Sequence, residues 1–129
     1  MPLTIPWTAG SSSIDSNLNF TYDGDFISYP IISATGPITN LLITHTTTGY
    51  TIGVTGAIVV GDTWTFDLRY GQKTVTDQTG ANKIANLTSG SSLADFAIIL
   101  GANTITVTGT TTTSASTVNI TYYTRYTGV

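Results

Sequence analysis

Cysteine and glutamate are absent from these 129 residues, and only four Lys and Arg stand against seven Asp. Without cysteine there is neither a disulfide framework nor a thiolate site. So few basic residues exclude a nucleic-acid surface, which needs clustered Lys and Arg to neutralise phosphates. Missing glutamate and scarce lysine exclude a coiled coil or helical bundle. No apolar run approaches the ~18 residues of a membrane span. No basic stretch leads into an apolar one at the N-terminus, so no signal peptide is expected. What is abundant is threonine, with 28 copies beside 11 Ser and 13 Gly. That mixture describes a nearly neutral, Thr-rich β domain, and the length suits one domain that buries roughly two-thirds of its unfolded surface without a staple.

Residues 1–16 read as an arm and linker, and residues 17–129 as the β domain. Pro2 and Pro6 interrupt a strand ladder, and Gly10 to Ser13 is linker chemistry. The arm is either a flexible leader or, through Ile5 and Trp7, a piece that docks on a neighbouring subunit. Beyond it the period is two. Trp64, Phe66 and Leu68 alternate with Thr65, Asp67 and Arg69, and Ile105 and Val107 sit among Thr104, Thr106 and Thr108. Val118 and Ile120 alternate with Asn119 and Thr121. One apolar face and one wet face describe antiparallel sheets. The expected core is Trp64, Phe66, Leu68, Ile105, Val107, Val118 and Ile120.

Turn residues punctuate these runs at short intervals. The positions expected to fix the fold are Gly24, Asp25, Pro30, Gly36, Pro37, Gly49, Gly61, Asp62, Gly71, Gly101 and Asn103. Gly71-Gln72 fits a two-residue hairpin. About nine to eleven strands follow, so the fold class is all-β, an antiparallel β-sandwich or jelly roll. The one helical candidate is a single turn near Ser91 to Phe96.

Catalytic constellations are poorly supplied. His45 is the only histidine, and no second His, Cys or Glu exists to complete a metal or nucleophile site. It reads as a hydrogen-bonded structural residue. Asp23-Gly24-Asp25 offers two oxygen ligands, too few for a good Ca²⁺ site, and suits a turn. Asp67 and Arg69 share a strand face and form an exposed ion pair worth under ~1 kcal/mol. No pair of carboxylates stands out for acid–base work. The sequons at Asn19, Asn86 and Asn119 occur at about the chance frequency and carry no information on compartment. Tyr29 and Tyr123 are the aromatics available to an outward, sugar-stacking surface. The chain is therefore expected to be no enzyme, with no cofactor and no metal.

The order of motifs is more informative than any one of them. Gly24-Asp25, Tyr29-Pro30-Ile31-Ile32, Gly36-Pro37, and Ile43 followed by Thr47 to Ile52 come first. Gly61-Asp62-Thr63 with Phe66-Asp67, Lys73-Thr74-Val75, Gly80, Leu87, Leu100 to Ile105, and Tyr122 with Arg125-Tyr126 complete the succession. From about Asn19 to Val129 it resembles the C-terminal domain of siphophage-type distal tail and minor tail proteins. The resemblance implies a galectin-like sandwich at a virion's tail tip or baseplate, docking other tail subunits in a homo-oligomeric assembly and linked to host attachment. The family's N-terminal ring-forming domain has no counterpart in these residues, so the chain is expected to be an excised domain or a short stand-alone tail protein. A sugar site does not carry over, because His45 is followed by Thr46 and Thr47 rather than the galectin pattern. Two alternatives remain: a carbohydrate-binding module for a host-surface glycan, and a fibre-like bacterial surface domain.

Overall fold

A computed structural model describes residues 2–8, 13–69, 73–91, 93, 95–112 and 116–123, with the backbone alone for 2–8, 13–16 and 123. Alternating apolar and hydroxyl residues form ten strands among them: β1 (Pro2–Thr8), β2 (Ser13–Tyr22), β3 (Ile31–Thr35), β4 (Ile38–His45), β5 (Tyr50–Gly53), β6 (Ala57–Ile58), β7 (Thr63–Asp67), β8 (Thr74–Thr76), β9 (Gly101–Thr110) and β10 (Thr117–Tyr123). They make two antiparallel sheets packed as a sandwich, ordered β1-β10-β3-β7-β8 and β2-β9-β4-β5, with β6 added beside β4.

Register places the apolar residues in rows across each sheet. In the first sheet Ile120 lies opposite Ile32, Ile32 opposite Phe66, and Phe66 opposite Val75. All four are fully buried. In the second, Ile43 lies between Ile52 and Val107, and these three are buried as well. The rows face each other to form the core, and cross-strand rows of this kind are what stabilise a sheet. Trp64, Leu68, Ile105 and Val118 are also buried in it. Leu68 enters one residue past the end of β7, where its N–H donates to the carbonyl of Pro30 at 3.1 Å.

β4 breaks the period. Ile38 faces inward, and so do Leu41, Ile43 and His45, which have the opposite parity. The register against β9 shifts between Thr39 and Leu42, and Asn40 takes φ 54° at that bulge. One extra residue flips every later side chain to the other face. Asn tolerates the left-handed backbone, and here its N–H donates to the Gly56 carbonyl at 2.8 Å while its Oδ1 accepts the Gly56 N–H at 3.3 Å.

Two local expectations are corrected. The helical turn falls at Ile84–Asn86, because the Asn82 side chain accepts the Ile84 N–H at 2.9 Å and starts it. The described residues of 91–96 are not helical. The prolines of the N-terminal segment do not prevent pairing: Pro2–Thr8 runs antiparallel to β10. β1 is an edge strand, and Pro2 and Pro6, four residues apart, lack their N–H groups on the same side of it, the arrangement in which an edge accepts proline. The Gly71-Gln72 hairpin tip lies outside the described residues.

Candidate docking surfaces

Because hydrogen-bonded neighbours are antiparallel in both sheets, the loops sort to two ends of the sandwich. One end gathers the β2–β3 loop, the β4–β5 turn and the segment leading into β9, and its anchor is buried and polar. His45 Nδ1 accepts the Thr48 N–H at 3.2 Å, so the neutral ring carries its proton on Nε2, which donates to Asn103 Oδ1 at 2.7 Å. Asn103 Oδ1 also accepts the Ile99 N–H, and its amide donates to the carbonyls of Ile99 and Gly101. Phe96 packs edge-on to the imidazole with ring centres 5.9 Å apart. Every polar atom of this pair is therefore occupied in holding two loops. Gly101, at φ 82°, makes the turn that lets Asn103 reach back. Gly49 closes the β4–β5 turn by donating to the His45 carbonyl at 2.7 Å.

At the opposite end the backbone itself is crowded. A Cβ on Gly36 would collide with the carbonyls of Ile58 and Val59. Gly36 precedes Pro37 through a cis peptide, and its N–H donates to the Asp62 carbonyl at 2.9 Å. Asp62 in turn accepts from the Gln78 amide at 2.9 Å, and Gly61 lies exposed beside it. Gly71 lies outside the described residues. Pro30 is buried, while Gly24 is half-buried and Asp25 exposed in the β2–β3 loop.

The carboxylates are scattered. Arg69 donates twice to Asp67, at 2.9 and 2.7 Å, and this holds the Asp67 carboxyl below the usual aspartate range. Asp77 is lowered first by the Thr79 hydroxyl and then by backbone N–H groups of its own loop. No three acidic or histidine groups converge on a cation position among the described residues. Tyr29 is half-buried, and the Lys73 ammonium sits 3.7 Å from its ring centre while donating to the Leu68 carbonyl. Burial lowers the Lys73 pKa, partly offset by Asp95. The face of Tyr29 is thus covered by a cation rather than open for stacking. Tyr123's side chain lies outside the described residues.

What the surface does offer is apolar contact at both ends. Phe26 and Leu100 are 51% and 50% exposed and flank the bridge between Ser28 and Ile98. Val59 and Val60 are 54% and 73% exposed at the other end, where Val60 bridges to Gly36. None of these four featured in the expected site. The sequence carries no sign of them, since both members of Phe26-Ile27 and of Val59-Val60 are exposed, and an apolar pair in a short loop reads the same when it is buried. Between the ends, the outer face of β2-β9-β4 carries mostly hydroxyls and amides, interrupted by the exposed Leu42. Thr104 donates to Asn19 at 2.6 Å and Thr106 to Asn17 at 2.7 Å.

The described residues thus form a two-sheet sandwich with hydrogen-bonded loops, dispersed carboxylates and apolar ends. Residues 23–126 match the family model described as siphovirus-type tail component, C-terminal domain, and the chain belongs to that family. It is a structural component of a phage tail and a constituent of the virion. No curated protein and no solved structure matches the chain. No helix among the described residues is long and apolar enough to cross a membrane.

Proposed function

We propose that this chain is a non-enzymatic docking module of the tail tip or baseplate, linked to host attachment. The observation that carries the reading is the pair of exposed apolar patches, Phe26 with Leu100 and Val59 with Val60, at opposite ends of a tail-family sandwich. Patches of this kind on a rigid domain mark protein contacts. The partners are other tail or baseplate subunits, with several copies of the chain in one virion. In this reading the sandwich has galectin-type connectivity, with residues 17–129 as the domain and 1–16 as an arm that adds β1 to one sheet edge and runs into the start of β2. Labelling virions with a gold-tagged antibody raised against the chain tests it. Gold at the tail tip is expected, and gold along the tube or at the head overturns the reading.

The hydroxyl-covered face of β2-β9-β4 favours a second reading, a host-surface glycan site. Against it, the side-chain Oδ1 atoms of Asn17 and Asn19 already accept from the Thr106 and Thr104 hydroxyls. A glycan array at millimolar sugar separates the two, and binding there that is lost on Asn19→Ala would favour the second.

A further inference from the structure

Edges of a β-sheet expose backbone donors and acceptors that pair with any strand brought alongside, so folded proteins guard them. Three of the four edges here are guarded. β1 carries Pro2 and Pro6. β8 is three residues long, and the following segment closes over it through the Thr76–Asn82 bridge and the Lys83 N–H to the Val75 carbonyl. Alongside β5, the Thr88 N–H donates to the Gly53 carbonyl and the Gly53 N–H to Ser91 Oγ.

β2 has none of these devices. It is ten residues long, contains no Pro, Gly, Lys or Arg, and pairs only with β9 among the described residues. Its inward-facing Leu18 and Phe20 pack against the core yet remain partly exposed. Asn17, Asn19 and Thr21, on the outer face, are uncharged. We propose that the free edge of β2 pairs antiparallel with β2 of a second copy of this chain, continuing one sheet across a two-fold axis.

A second copy is the occupant the chemistry favours. A two-fold axis perpendicular to the sheet keeps inner faces with inner faces only when residues of equal parity oppose each other. Centring on Leu18 satisfies this. It sets Asn17 opposite Asn19 and Asp15 opposite Thr21, so the one charged residue of β2 never meets its own copy. The pairing covers the exposed parts of Leu18 and Phe20 from both sides. Despite the net charge of −3, no two carboxylates of β2 stand directly opposite each other across the seam. The inference deepens the docking reading and rests on it, since several copies must meet in the tail.

The test uses the full chain. Light scattering across a concentration series is expected to show a dimer, and alternate amides of residues 17–21 are expected to exchange more slowly as concentration rises. Asn17→Lys with Asn19→Lys sets ammonium groups opposite each other twice across the seam and should weaken dimerisation by about tenfold. Asn17→Lys with Asn19→Asp sets opposite charges there and should restore it. Both positions are exposed, and near-UV circular dichroism verifies that each variant is folded. A monomer at all concentrations overturns the inference, as do a dimer indifferent to both variants and protection that appears only when a different tail protein is added. A monomer that still labels the tail tip removes this pairing and leaves the docking reading. A dimer found elsewhere in the virion does the reverse.

Discussion

Phe66 occupies the middle of the row that crosses the first sheet, fully buried between Ile32 and Val75. Truncation there leaves a cavity that packed neighbours on two strands do not fill, so Phe66→Ala should cost about 3–5 kcal/mol. A thermal melt checks it, and an unchanged midpoint would take Phe66 out of the core. Asn103 matters for a different reason. Asn103→Ala strands the Nε2–H of the fully buried His45 and removes the bonds that tie the Ile99 N–H and the Ile99 and Gly101 carbonyls to it. The expected loss is about 1–3 kcal/mol in urea unfolding, although only one small side chain has gone. Asp67 gives the pH dependence. Its folded-state pKa lies below the unfolded value, so its contribution is complete above roughly pH 3.9 and disappears as the pH falls through the folded value. Arg69 is half-exposed, so solvent screens the pair, and Asp67→Asn should cost under ~1 kcal/mol at neutral pH. Urea midpoints of the parent and the variant should converge on acidification, and a gap that persists at pH 2 would show that the ion pair is not its source.

At the level of the element, β4 shows how a one-residue insertion decides which side chains enter the core. Asn40 holds the bulge at positive φ. Asn40→Val puts a β-branched residue into that conformation and should cost about 1–3 kcal/mol, whereas Asn40→Gly should be close to neutral. Comparing the two by chemical denaturation separates backbone strain from loss of the Gly56 hydrogen bonds, because both variants lose the side-chain acceptor. The same strand marks the limit of what pattern reading recovers. Clean alternation in Thr63–Asp67, Gly101–Thr110 and Thr117–Tyr123 made three strands and their inward residues legible from sequence. In Ile38–His45 the alternation restarts midway, and nothing local says where the extra residue is absorbed. The helical turn escaped for a related reason. It depends on one Asn82 side chain reaching two residues ahead, a bond that composition does not announce. The pairing of β1 was illegible because proline is excluded from interior strands but admitted at edges, and edge position is a property of the whole sheet. Of the surface, the hydroxyl face was readable from Thr periodicity. The apolar ends were not, because apolar residues in short loops look the same whether they fold inward or remain outside.

Across the whole molecule, the arrangement of ends follows from topology. Antiparallel strands return each loop to one of two poles, so Phe26 and Leu100 gather at one and Val59 and Val60 at the other. The two patches differ in sequence, so in the docking reading a contact that joins one pole to the other is heterologous. The open β2 edge is lateral to both poles and can be occupied at the same time. In the docking reading, function and folding are carried by different residues. Val59→Asp with Val60→Asp changes residues that are mostly in water, and stability should move by no more than about 0.5 kcal/mol. Incorporation should fall, because a carboxylate pressed into an apolar contact loses its hydration without gaining a partner. Quantitative blotting of purified virions against the unfolding midpoint of the isolated chain reads both quantities. Normal incorporation with an unchanged midpoint would show that this pole faces solvent in the assembled tail and would leave docking to the Phe26–Leu100 pole and the β2 edge.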